Sequence, residues 1–163
     1  MKRIAFALLL IASEAQARDS LGVFEGWGAF RDPQPFRCYA IAEPVRGGGG
    51  KWRPFASIAH WPSEAVRGQI HIRLSREKRS DAKITLSIDD RRIALVGSGV
   101  NAWAANPRAD AAIIAAIRSG RSMSIASVAA TGGGFADTYA LRGAATAIDA
   151  AALGCARGLI PAD

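Results

Sequence analysis

The sequence predicts a mainly β domain, an antiparallel β-sandwich that carries two short α-helices. Three observations point there. "RGQIHIRLS" (67–75) alternates without a break, with Ile70, Ile72 and Leu74 on one side and Gln69, His71, Arg73 and Ser75 on the other. That is the period of a half-buried strand with a wet, basic face. "KITLSIDDRRIALV" (83–96) repeats the pattern across a turn at Asp89-Asp90, and either a two-residue or a four-residue loop keeps Ile84, Leu86 and Ile88 on the face of Ile93 and Leu95. Beyond the N-terminal leader, only two stretches, 106–120 and 144–155, keep helical spacing.

In chain order, the first segment is a leader. Lys2 and Arg3 precede the apolar run Ile4–Ala12, and Ala15-Gln16-Ala17 supplies small residues before Arg18. This is the pattern of a secretory signal peptide over residues 1–17, cleaved between Ala17 and Arg18. The run of nine residues is far below the roughly 20 that cross a bilayer as a helix, so no transmembrane segment is expected. Residues 18–163 then form one domain, too short for two of ordinary size.

"VFEGWGAF" (23–30) and "FRCYAIAE" (36–43) read as two strands separated by Asp32-Pro33-Gln34-Pro35. "VRGGGGK" (45–51) is a loop and no phosphate cradle, since Trp52 stands where a P-loop needs Ser or Thr. "PFASIAHW" (54–61) is a third strand, ahead of the two alternating segments. Asn106 caps a helix with Pro107 in its first turn, Ile113, Ile114 and Ile117 on one face, and Arg118 and Gly120 at its end. "SMSIASVA" (122–129) and "FADTYALR" (135–142) form a hairpin around "TGGG". In the last helix Ala144, Ile148, Ala151 and Cys155 share a stripe, and Gly154 either lies within it or ends it just before Cys155.

Export changes the reading of the two cysteines. An even count in an oxidising compartment reads as a disulfide, here Cys38 with Cys155. Two Cys and two His (His60, His71) at unrelated spacings do not compose a metal site. No cofactor is expected. The formal net charge is +7, and loss of Lys2, Arg3 and Glu14 with the leader lowers it by one. That excess aids solubility and also fits anionic partners. Arg67, His71, Arg73, Arg76, Lys78, Arg79, Arg91 and Arg92 cluster in sequence around one strand and the next hairpin. If their faces coincide, His71, Arg73, Arg91 and Arg92 make a candidate anion-binding surface. Trp27, Trp52, Phe55 and Trp61 read as core fillers ahead of stacking platforms. No Ser, His and acid set carries a nucleophile elbow, so the expectation is a protein without catalytic residues. Nucleic acid is disfavoured by export.

Five segments in this order and spacing resemble a known family: "CYAIAEP", "ITLSIDD", "AWA" (102–104), "AAIIAAIRSGRSMSI" and "DTYALRGAATAIDAAALGC". Together, over about residues 24–156, they are similar to the invasion-associated locus B proteins, a family of exported bacterial envelope proteins. The resemblance implies an immunoglobulin-like sandwich in the periplasm or at the cell surface. It also implies a role in host-cell invasion or envelope maintenance, exerted on an unidentified envelope or host protein. A second reading takes the partner to be an anionic envelope surface of glycans or lipids, met through the basic strand face.

Overall fold

The structure, a computed structural model, describes residues 18–157. The leader and Ala17 lie outside the described residues, and Arg18 is the first of them. Ten strands follow: β1 (Asp19–Phe24), β2 (Trp27–Pro33), β3 (Phe36–Ala42), β4 (Phe55–Trp61), β5 (Val66–Arg73), β6 (Ile84–Ile88), β7 (Arg91–Ser98), β8 (Asn101–Trp103), β9 (Ser122–Val128) and β10 (Gly134–Ala140). Helix α1 (Pro107–Ser119) precedes β9, and α2 (Ala144–Arg157) follows β10.

All ladders are antiparallel, and the strand order is β1-β2-β3-β4-β5-β8-β7-β6-β9-β10. The expected β content, antiparallel pairing and two helices are therefore present. An immunoglobulin-like sandwich is not confirmed, because the ladders run on through a single sheet whose order is largely a meander. The strand that joins its halves is β7, whose first part pairs with β6 and whose last three residues, Val96–Ser98, pair with β8.

The far end of the sheet is tied back toward its start. Thr138 in β10 donates its amide to Arg46 O (2.8 Å) and accepts from Val45 N (2.7 Å), while Trp27 Nε1 donates to Ala140 O at 2.9 Å. Asp137, fully buried in β10, accepts from Gly48 N (3.1 Å) and Ser75 N (2.9 Å). One carboxylate thus fastens two connecting segments to the last strand.

The parity read from the sequence is observed. Ile70, Ile72 and Leu74 are fully buried, and so belong to the single core formed with Ile58, Leu86, Ile113, Ile125 and Tyr139. Burying one such isoleucine contributes about 1.5–3 kcal/mol. The inner faces of β2, β3 and β4 carry mostly alanine (Ala29, Ala40, Ala42, Ala56), and α2 presents Ala144, Ala147, Ile148 and Ala151 to them. Small side chains on both surfaces let helix and sheet approach closely. Gly154 shows the limit, since a Cβ there would run into the Leu21 side chain. Helix α2 continues through Gly154 and includes Cys155, which settles the alternative left open by the glycine.

Asn106 caps α1 as expected, accepting from Ala109 N at 2.9 Å. Two features depart from the sequence reading. "VFEGWGAF" is two strands, split at Glu25-Gly26 where Glu25 takes a left-handed φ of 54°. Glutamate is an unusual residue for that conformation, and no Asn-Gly or Asp-Gly signal marks the turn. The short strand β8 lies in "NAW", three residues that are too few to show a period.

Candidate functional site

The side of the sheet turned away from the core carries His71, Arg73 and Arg92, three of the four residues singled out as a binding surface. Cross-strand register builds a row across it: Val23 opposite Gly28, Gly28 opposite Ile41, Ile41 opposite Ser57, and Ser57 opposite His71. His71 in turn faces Trp103, and Trp103 faces Val96. The row therefore crosses seven strands. Its apolar members are unusually open: Val23 is 70% exposed, Val96 51% and Trp103 36%.

His71 is held at the centre of this row. Its ring stacks on Trp103 (centroids 5.2 Å apart, planes 11° apart) and meets Phe55 edge-on at 5.3 Å. Nε2 donates to Asn101 Oδ1 at 2.9 Å. Arg73 lies two residues on, on the same face, in register with Phe55 and Asn101, and its Nε is buried without a partner among the described residues. Beside them a shallow cleft of about 560 Å³ is bounded by Val23, Phe30, Ile41, Arg53 and Phe55. Gly28 belongs to its floor, because the Phe30 ring lies where a Cβ on residue 28 would sit.

The expected cationic patch is only half assembled. His71 and Arg73 come together, whereas Arg92 projects from the same face four residues before Val96, about 13 Å along β7. Arg91 has the opposite parity, that of Ile93 and Leu95. Lys78 also leaves the basic set: it is buried, with Nζ donating to Arg79 O and Ser80 O at 2.9 Å each. Arg79 pairs with Asp81 at 2.6 Å. What the sequence reading missed is the apolar component: Trp103, Val96 and Val23. The alternation that places Leu95 inward places Val96 outward, so that part of the row was legible.

A second cluster on this face is saturated. Asp32 accepts from Arg18 Nε and Arg37 Nε, both at 2.9 Å. The Arg37 guanidinium sits 4.9 Å from the Tyr39 ring centroid and 5.0 Å from that of Trp61, and Arg18 lies 5.3 Å from Tyr39. Cations held this way are not free to bind an external anion. Trp61 and Tyr39 are thus cation partners, whereas Trp27 fills the core.

Burial alone would raise the Asp32 pKa, but the hydrogen bonds and charges of Arg37 and Arg18 outweigh it and hold the carboxyl below its ordinary range. A depressed folded-state pKa contributes stability above the unfolded value and loses it as pH falls through the folded one. Asp32→Asn is expected to cost no more than about 1 kcal/mol near neutral pH and to flatten the loss of stability below about pH 4. Urea unfolding over a pH series checks this, and an unchanged acid limb would show that the Asp32 charge is not stabilising.

The disulfide lies on the opposite, inner face. Cys38 and Cys155 are bonded, with Cα atoms 5.6 Å apart, inside the usual range for a disulfide. No helix among the described residues is long and apolar enough to cross a membrane, and no group of three His, Cys, Asp or Glu among them is placed to hold a metal ion.

No family model matches the chain, and no curated protein matches it. A solved structure does. The crystal structure of invasion associated protein B from Bartonella henselae superimposes with a TM-score of 0.58 at 16% identity, covering 82% of this chain and 96% of that one. The two proteins share a fold. The likeness to invasion associated protein B extends over nearly the whole of that chain. At 16% identity it is the architecture that is shared, and the residues on the outer face must be read from this sequence alone.

Proposed function

We propose that this protein is an exported, non-enzymatic component of the bacterial envelope, in the periplasm or at the cell surface, that works by binding another protein through the outer face of its sheet. The carrying observation is the row from Val23 to Val96, with Trp103 held upright against His71. Exposed apolar side chains aligned across a rigid sheet are characteristic of interaction surfaces, and aromatic residues are enriched in them. The fold shared with invasion associated protein B supports a link to host-cell invasion or envelope maintenance, and the disulfide is in keeping with an oxidising compartment.

The division of the cationic set over two faces favours a protein partner over an anionic surface. Immobilised protein with residues 1–17 removed is expected to retain a defined partner from envelope extract at high salt. Trp103→Ser combined with Val96→Ser should abolish that retention, because both positions are exposed and the variant keeps its core. Undiminished retention by the double variant would rule out this face. Binding to anionic vesicles that salt abolishes, with no protein retained, would replace the protein partner with an anionic glycan or lipid surface.

A further inference from the structure

Beside the disulfide, the inner face of the sheet opens into a cavity. Register places Cys38 opposite His60, and His60 opposite Arg67. Arg67 reaches this side through an irregularity: the ladder shifts between Ala59 and His60, leaving Gly68, at φ 83°, as the extra residue of β5. Strict alternation from Gln69 would have pointed Arg67 outward, and a bulge of this kind re-aims a side chain. The last turn of α2 closes the other wall with Ala152, Cys155 and Ala156. Its volume is about 340 Å³, at the small end of the roughly 300–1,000 Å³ typical of ligand pockets.

Its walls are mainly apolar and its polar groups few, as in sites that bind small organic molecules. His60 Nε2 is buried with no hydrogen-bond partner among the described residues, an uncommon condition in native proteins that calls for a reason. Burial, reinforced by the charges of Arg118 and Arg67, lowers the His60 pKa, so near neutral pH the imidazole is uncharged and able to donate one N–H. Arg118 is engaged by Asp149 at 2.6 Å. Arg67 forms no ion pair among the described residues, which leaves one uncompensated cation at the rim.

We infer that this cavity binds a small monocarboxylate with an apolar body, its carboxylate held between the Arg67 guanidinium and His60 Nε2–H, its body against Val66, Ala152 and Ala156. Among the described residues Arg67 is the one cation lining the cavity and has no ion-pair partner, which matches a single negative charge, and a neutral molecule would leave it without a counter-charge. The cavity lies on the side of the sheet opposite Trp103 and Val96, so this site and the outer face stand or fall separately.

Octanoate titrated into the isotopically labelled protein is expected to produce saturable shifts in the backbone amides of His60, Arg67 and Ala152. Arg67→Glu alters an exposed side chain and keeps the fold, yet should weaken octanoate binding by about tenfold or more, the scale of a lost charge-assisted hydrogen bond. Octan-1-ol keeps the chain and lacks the charge, and it should bind weakly to both forms. The inference is overturned if octanoate produces no saturable shift at those three amides, if Arg67→Glu binds it equally well, or if octan-1-ol binds as tightly as octanoate.

Discussion

Cys155→Ser, or reduction of the native protein, is expected to lower the unfolding free energy by about 2–5 kcal/mol. The bond joins residues 117 positions apart, so in the chain-entropy account its removal frees a very long loop in the unfolded state. The loss also acts locally. Helix α2 is anchored by Ala144, Ala147, Ile148 and Ala151, of which only Ile148 brings a large side chain, and alanine burial adds little per residue. Without the bond, the last turns of α2 should exchange their amide hydrogens first, ahead of the β3–β4–β5 ladder. Denaturant unfolding with and without reductant measures the stability change, and hydrogen exchange locates it. Coincident unfolding curves would show that the bond constrains neither state, and free thiols titrated in the unreduced, denatured chain would show that it does not form.

Asp137→Ala should cost about 2–4 kcal/mol, roughly 1–3 kcal/mol for the buried Ser75 amide left unpaired and about 1 kcal/mol for the part-buried Gly48 amide. The carboxylate is fully buried and each oxygen accepts from a different segment, Gly48 on one side and Ser75 on the other. Alanine leaves the buried Ser75 amide unsatisfied and removes the partner of the part-buried Gly48 amide. Asn retains one acceptor and turns an N–H₂ toward the other amide, so Asp137→Asn should lie between wild type and alanine. Hydrogen exchange at Gly48 and Ser75 should accelerate in both variants. If Asp137→Ala unfolds at the wild-type denaturant midpoint, the two segments are held by something other than this residue.

Much of the sheet was legible because its strands alternate. Ile70, Ile72 and Leu74 face inward and His71 and Arg73 outward, as the pattern in "QIHIRLS" requires. The capped helix at Asn106 was equally readable, since its signals are local. What was not legible depends on distant segments. That β5 lies beside β8, and β6 beside β9, fixes which side chains on different strands become neighbours, and no periodicity within one strand encodes it. His71 and Arg73 share a strand and stay together, whereas Arg92 sits far along β7 and Arg91 has the other parity. The bulge that turns Arg67 inward is marked only by Gly68, whose meaning appears once its partner strand is known. Lys78 reads as one more surface cation until the carbonyls of Arg79 and Ser80 are seen around its amine.

The clasp of Val45 and Arg46 on β10 has a bearing on how copies of this chain behave beside one another. A terminal strand with open amides and carbonyls is a template for strand addition, the first step toward edge-to-edge aggregation. At Thr138, near the middle of β10, both backbone groups are already engaged by the chain's own connection. The glycine run that follows the clasp lets that connection lie close: a Cβ on Gly47 would collide with the β10 backbone at Ala136. The loop read from "VRGGGGK" thus acts as a guard on this edge of the sheet, denying it to a neighbouring copy.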